Sequence, residues 1–273
     1  IMFYKNSEFI DEMVNLIKEC NDIVMKIYNN PNFDVLMKED NTPLTDADKE
    51  CNQHICSFLR LKNKIFEEIT GKTFGIISEE NKNLDYNERK NTHYSWLIDP
   101  VDGTKEFVKR NGQFTINIGL VEGEVPVYGI VSIPVSGEIY YGIKGVGSFK
   151  REIKGNINKL RIDRNKDISL NPKIVASSSH LNEDTKKFIE QFKEHELVSV
   201  GSSIKLLYIA ENKADIYPRI ALTSEWDTCA AHAVVKYAGG RVFIFDKDKL
   251  CNELTDEVKY NKEDLLNPFF VCF

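Results

Sequence analysis

Trp96-Leu97-Ile98-Asp99-Pro100-Val101-Asp102-Gly103-Thr104 is the stretch around which the chain organises itself. Its first half belongs to a short apolar run, 94–98, bounded by polar residues, which reads as a β-strand. The strand ends in two carboxylates three positions apart, followed by Gly-Thr. Hard divalent cations take oxygen ligands, and Mg²⁺ is commonly held by one or two carboxylates plus substrate phosphate. Asp99 and Asp102, curled at a strand end, can point into one small volume. Pro100 fixes the turn, and the Val101 carbonyl offers a further oxygen. Gly103 lets the backbone come close to a ligand, and the amides of Gly103 and Thr104, opening the next segment, can cradle a phosphate. The same residues also read as a plain turn, because Asp, Pro and Gly favour turns.

Two further acidic ends shift that balance. Glu79-Glu80 follows the apolar run 74–77, placing carboxylates at a second strand end or in an exposed acidic loop. Asp227, in Trp226-Asp227-Thr228-Cys229-Ala230-Ala231, opens an Ala-rich helix, where an Asp also serves as an ordinary cap. Three such ends fit a two-metal phosphate site better than three coincidences. Thr45-Asp46-Ala47-Asp48 has the form of a capping box. Its functional alternative makes Asp48 a partner for a water or a third metal.

Outward from this centre, apolar residues recur at three and four from Phe9 to Ile27, predicting a helix over 9–28 stopped by Asn29-Asn30-Pro31. A second helix is expected from Thr45 towards Thr70, ending at Gly71. Strands over 74–77, 94–98, 113–121, 125–133 and 138–143 then read as a meander, hence antiparallel. Beyond residue 171 the pattern alternates: strand 173–176, helix 183–193, strand 197–200, helix 203–210, strand 215–217, helix 228–238, strand 241–245. The fold class is α/β, with an α+β half (1–165) and an α/β half (166–273), and ligand sites favour such junctions.

Composition excludes several classes. A net charge of −6 provides no basic field for nucleic acid. Six scattered cysteines without a C-x-x-C pair read as reduced thiols of a cytoplasmic chain rather than a disulfide framework or zinc site. No apolar run has transmembrane length and no signal-peptide pattern is visible, so no membrane partner is expected; Ile1 reads as lying ahead of a natural start at Met2. There is no P-loop, no G-x-G-x-x-G and no G-x-S-x-G. His54, His93, His180, His195 and His232 form no H-x-x-x-H set, and His232 reads as packed in its helix. Metal ions and an activated water are what remain for catalysis.

Glu79-Glu80, the D-P-V-D-G-T of residues 99–104 and the W-D-x-x-A of residues 226–230, in this order, resemble the signatures of the lithium-sensitive, Mg²⁺-dependent phosphatases of the inositol monophosphatase superfamily. The resemblance spans nearly the whole chain. Residues 99–120, Gly201-Ser-Ser-Ile-Lys205, Ala214-Asp-Ile-Tyr-Pro-Arg219 and Asn267-Pro-Phe-Phe270 are similar to the bacterial-type 3′(2′),5′-bisphosphate nucleotidase branch. The resemblance implies a layered αβαβα sandwich, two or three Mg²⁺ per site, a homodimer and a place in sulfur metabolism. It implies a small nucleotide substrate, 3′-phosphoadenosine 5′-phosphate, cleaved to AMP and phosphate, with 3′-phosphoadenylyl sulfate as a second substrate. It assigns Glu79, Asp99, the Val101 carbonyl, Asp102 and Asp227 as metal ligands. Thr104, with Glu79, would orient the attacking water; Asp48 matches the acid of the T-x-x-D element, and Gly103 and Thr104 match phosphate-contacting amides. Ser202, Lys205 and Arg219 are candidates for the second phosphate or the sugar, since a bisphosphate needs positive charge beyond the metals and Arg offers a bidentate fork. Glu225, beside Trp226, is a position expected to alter ligand contacts. The alternatives are an inositol monophosphatase or broad sugar-phosphate phosphatase, and a non-catalytic nucleotide-binding protein. The intact Glu79, Asp99, Asp102, Thr104 and Asp227 set argues against the last.

Overall fold

The periodicity over 9–28 is realised as helix α1 (Ser7–Tyr28) in the computed structural model, which describes residues 2–176 and 181–273 and so leaves Ile1 and His180 outside. Asn6 caps α1, its side chain accepting the Glu8 N–H at 2.9 Å. A hairpin follows, β1 (Val35–Met37) with β2 (Pro43–Thr45), then α2 (Asp46–Thr70), which ends on Gly71 in the left-handed region at φ 67°. The hairpin went unread because its strands are three residues long and β1 is exposed throughout, so no alternation marks it.

Seven strands form the main sheet in chain order: β3 (Phe74–Ser78), β4 (Tyr94–Asp102), β5 (Thr115–Glu122), β6 (Val125–Ile133), β7 (Glu138–Ile143), β8 (Gly147–Arg151) and β9 (Ile157–Leu160). Short helices α3 (Tyr86–Arg89) and α4 (Thr104–Lys109) flank β4. The expected all-antiparallel meander holds only from β4 onward. β3 and β4 run parallel, Phe74 opposite Tyr94, because residues 79–93 carry the chain back across the sheet before β4 begins. The parallel pairing sets the C-terminal ends of both strands, with Glu79 and Asp99, at the same edge.

β4 alternates between two cores. Trp96 and Ile98 pack with Phe9, Met13 and Ile17 of α1 and Ile55 and Leu59 of α2, whereas Leu97 faces the opposite side. That side is covered by α6 (Ile204–Ala210) and α7 (Glu225–Tyr237). The remaining elements are β10 (Lys173–Ala176), α5 (Glu183–Ile189), β11 (Glu196–Ser199), β12 (Tyr217–Arg219), β13 (Val242–Ile244) and β14 (Phe270–Cys272). β10 and β11 pair in parallel; β14 lies between β12 and β13 and is antiparallel to both. Phe188 and Ile189 of α5 pack on Ile174, Ile216 and Val271 of these small sheets. The layers run helix, sheet, helix, sheet, helix. Several boundaries moved. The strand expected over 94–98 runs on to Asp102, the strand expected at 215–217 is Tyr217–Arg219, the helix expected to 193 stops at Ile189, and α7 starts at Glu225 because Ser224 and Asp227 close a capping box there. Among the described residues no helix is long and apolar enough to cross a membrane.

α7 lies unusually close to the sheet, on a lane of glycines. Gly119, Gly129 and Gly142 are register partners across β5, β6 and β7. A Cβ on Gly129 would sit 2.8 Å from the Ala230 carbonyl carbon, one on Gly142 2.6 Å from that of Ala233, and one on Gly119 2.5 Å from Cys229 Sγ. The small residues of α7 and the bare backbone beneath it fix the depth at which the helix start is presented to the end of β4.

Candidate active site

The ladder between β4 and β5 breaks where the acidic pair begins: Asp99 opposes Asn117, Asp102 opposes Thr115, and a bulge lies between. The bulge turns both aspartates inward, and the start of α7 brings Asp227 to them. Carboxylate oxygens of Asp99, Asp102 and Asp227 all lie within 4.8 Å of one another. A backbone N–H holds one oxygen of each: Val101 donates to Asp99 at 3.2 Å, Ser203 to Asp102 at 2.6 Å and Ser224 to Asp227 at 2.7 Å. For Asp227 the cap and the cluster are therefore one arrangement.

Burial and mutual repulsion push all three carboxyls up in proton affinity. Asp102 rises to about 8, from burial and then from Asp227, against the opposing pull of Lys205 and the Ser203 amide. Asp227 rises to about 6, burial leading and Glu79 adding, while Asp99 is raised by burial, Glu79 and its two neighbours. The sign of the stability effect follows. In the metal-free fold Asp102 keeps its proton from its ordinary 3.8 up to about 8, so that fold loses stability as pH rises through this window. Protons and a cation compete for the same oxygens. The increase in unfolding temperature on adding Mg²⁺ should therefore grow across the window, which thermal melts with and without chelator on either side of it will measure. An increment independent of pH would contradict this electrostatic picture.

Behind the cluster, the capping box at Thr45 is real and does not exhaust Asp48. Its Oδ2 accepts the Thr45 N–H and hydroxyl, both at 2.8 Å, and its Oδ1 accepts the Thr104 hydroxyl at 3.0 Å. Thr104 Oγ1 lies 3.2 Å from the Val101 carbonyl. Glu79, whose N–H donates to the Ile98 carbonyl at 3.2 Å, is paired at 3.1 Å with Lys38 Nζ, which also bonds Glu80. Burial works against the Lys38 charge, yet its bonds to Glu80 and Glu79 raise its pKa above the ordinary lysine value. Lys38 was not foreseen, since it follows a short exposed hairpin strand with no local signature.

On the other flank a cavity of about 100 Å³ is lined by Asp102, Ser202, Lys205, Tyr217, Arg219 and Asp227, among others. Its donors are open. Ser202 adopts φ 50°, and its buried hydroxyl and the buried Arg219 Nε have no hydrogen-bond partner among the described residues. Lys205 is lowered in pKa by burial and by the neighbouring Arg219. Gly103 sits at φ 88°, where a Cβ would stand 3.1 Å from both the Gln113 carbonyl oxygen and Ser202 Cβ, so this turn abuts the cavity wall. A larger cavity, about 810 Å³ between α5 and residues 244–256, is lined by none of the predicted site residues. Charge and unpartnered donors, rather than volume, distinguish the smaller cavity.

One expectation is corrected. Glu225 is fully buried and turned away from the cavity, accepting from the Asn261 and Lys262 amides and from Lys262 Nζ at 2.6 Å. It anchors residues 261–262 to the start of α7 rather than altering ligand contacts. His232 is packed, as expected: it is buried, its Nδ1 lies 2.9 Å from the Tyr260 hydroxyl, and burial lowers its pKa against the opposing pull of Glu257.

Comparison with known proteins identifies the family. The profile of the inositol monophosphatase family matches residues 5–267. The 3′(2′),5′-bisphosphate nucleotidase CysQ of Buchnera aphidicola subsp. Acyrthosiphon pisum (strain APS) is 37% identical over 254 residues, covering 93% of this chain and 91% of that protein. The CysQ nucleotidase of Escherichia coli (strain K12) is 35% identical over 262 residues, covering 96% and 98%. The crystal structure of CysQ from Bacteroides thetaiotaomicron, a bacterial member of the inositol monophosphatase family, superposes with a TM-score of 0.77 at 36% identity, covering 94% of this chain and 96% of that one. By the span of the profile match, by these identities and by the layered fold, the chain belongs to the inositol monophosphatase family.

Proposed function

We propose that the chain is a Mg²⁺-dependent phosphomonoesterase that hydrolyses the 3′-phosphate of 3′-phosphoadenosine 5′-phosphate to give AMP and phosphate, and that it also accepts 3′-phosphoadenylyl sulfate. The observation that carries this reading is the pairing of two poles: an oxygen-only cluster of carboxylates abuts a cavity in which two buried donors, Ser202 Oγ and Arg219 Nε, have no hydrogen-bond partner among the described residues. The names of the relatives support the nucleotide.

The donor set fits the metal. Every candidate ligand is a hard oxygen, and the cluster gathers three buried carboxyls whose raised proton affinities Lys205, at Asp102, and Arg219, at Asp227, oppose without cancelling. Glu79, Asp99, Asp102, Asp227 and the Val101 carbonyl would hold two or three Mg²⁺. When bound, these ions neutralise phosphoryl charge and lower the pKa of water. The protein's own groups do the rest. Thr104 donates its hydroxyl proton towards Asp48 and so turns an oxygen lone pair to the attacking water, which Glu79 orients from the other side. Water adds to phosphorus as the bond to the 3′ oxygen breaks, and the one proton the water gives up is balanced by the one the 3′ oxygen gains on leaving as the ribose hydroxyl. The amides of Gly103 and Thr104 hold the 3′-phosphate, while Ser202, Lys205 and Arg219 receive the 5′-phosphate. In this reading residues 1–165 supply the Glu79 and D-P-V-D-G-T side and residues 166–273 supply Asp227 and the cavity. A cytoplasmic location and lithium inhibition belong to the same proposal.

Phosphate release separates the alternatives. Offered 3′-phosphoadenosine 5′-phosphate and inositol 1-phosphate with Mg²⁺, the protein is expected to prefer the nucleotide and to be inhibited by Li⁺. A preference for the inositol ester would replace the proposed substrate. Absence of turnover on either would make the chain a binding protein.

A further inference from the structure

Three buried polar side chains lie between the two poles, and of them only Ser203 also lines the cavity. Thr115 and Asn117 project from β5 at the positions opposite Asp102 and Asp99, and Ser203 precedes α6. Their exposures are 0%, 1% and 4%, so each must find its partners within the protein. They find them in one another. Asn117 Nδ2 donates to Thr115 Oγ1 at 2.9 Å, and Ser203 Oγ donates to Asn117 Oδ1 at 2.8 Å. Since Ser203 has one hydroxyl proton, the remaining 2.7 Å bond must run from Thr115 Oγ1 to Ser203 Oγ. The three bonds close a ring in which every donor points the same way round, and such chains reinforce themselves in a low dielectric.

The ring clamps a segment that serves both poles. Ser203 N–H is the donor to Asp102 at 2.6 Å. Ser202, one residue earlier, is held in the left-handed region with its hydroxyl in the cavity, and Lys205 lies two residues later in α6. Gly201 N–H is tied in turn to Gln113 Oε1 at 2.8 Å. The distance from the carboxylate cluster to the cavity donors is thus set by where the ring locks Ser203 against β5.

We propose that Thr115, Asn117 and Ser203 are positioning residues that fix the span between the carboxylate cluster and the cavity, and so determine specificity for a substrate bearing two anionic groups over one bearing a single phosphate. The proposal rests on the nucleotide reading above. Removing the Thr115 hydroxyl while keeping its shape leaves the Asn117 N–H without an acceptor and frees Ser203 to shift; a misplacement on the order of 1 Å costs up to about a hundredfold.

The test compares steady-state kinetics on 3′-phosphoadenosine 5′-phosphate and on adenosine 3′-monophosphate for the wild type, Thr115→Val and Thr115→Ser. Thr115→Val is expected to raise KM for the bisphosphate by about tenfold or more while changing KM for the monophosphate far less. Thr115→Ser, which keeps the hydroxyl, is expected to retain the wild-type preference. If Thr115→Val does not fold, Ser203→Ala opens the same ring from the other side, keeps the main-chain donor to Asp102, and is expected to show the same split. A folded ring-breaking variant with the wild-type preference, or one that loses both substrates equally, overturns the proposal. A wild type with no preference for the bisphosphate would instead overturn the nucleotide reading beneath it.

Discussion

Asp102→Asn yields a folded protein whose phosphate release falls by at least about a thousandfold, while its metal-free form melts higher than the wild type. Both halves of that result come from one carboxylate. Asn preserves the shape of Asp102 and can still accept the Ser203 N–H, so the bulge of β4 and the start of α6 keep their contacts. Asp102 is one of three carboxyls confined within 4.8 Å, and its proton affinity, raised to about 8, means that the metal-free fold at neutral pH forms only by taking up a proton there, a cost that Asn does not bear. The substitution therefore spares the metal-free fold that cost and, on the proposed function, takes a ligand from the cation. Thermal melts with and without Mg²⁺, beside a phosphate-release assay, read both effects. Turnover near that of the wild type with an unchanged metal response would remove Asp102 from the site.

The second large effect comes from a single methyl group far from any charge. Gly129→Ala places a Cβ against the Ala230 main chain, 2.8 Å from both its carbonyl carbon and its Cα, where neither sheet nor helix can give way alone. Overpacking of this kind costs about 3 kcal/mol or more when backbone must move. α7 must lift, and Asp227 lifts with it, so activity should fall at temperatures where the variant is still folded. Gly123→Ala is the control: it sits at φ 63° in the turn joining β5 and β6 with nothing within 4 Å of the added atom, and should cost only about 1 kcal/mol. Equal melting temperatures for the two variants would contradict the role given to the glycine lane.

The parts of this molecule that could be read from sequence are those whose chemistry is local. Asp99 and Asp102 stand three residues apart at a strand end, Glu79 ends the neighbouring strand, and Asp227 opens an Ala-rich helix; each carries its context in adjacent residues. Asp48 was ambiguous between cap and site because its two oxygens are divided, one accepting from Thr45 and the other from Thr104. Contacts made at long range left no such mark. Lys38 meets Glu79 across 41 positions, Ser203 meets Asn117 across 86 and Asp102 across 101, and nothing beside these residues announces the partner. Gly119, Gly129 and Gly142 become a lane only once the register of three strands is known. The direction of β3 depends on how residues 79–93 cross the sheet, which periodicity does not encode. Glu225 was misjudged for the same reason: its partners, Asn261 and Lys262, lie 36 and 37 residues away.

The central claim is that the converging carboxylates serve divalent metal for phosphate ester hydrolysis. Its most direct test is to strip the protein with chelator and follow phosphate release from 3′-phosphoadenosine 5′-phosphate as Mg²⁺ is returned. Release should be absent in chelator and rise to saturation with Mg²⁺ in the wild type, and should stay absent at every Mg²⁺ concentration in Asp227→Asn. Full turnover in chelator, or a normal Mg²⁺ response from Asp227→Asn, would contradict the account.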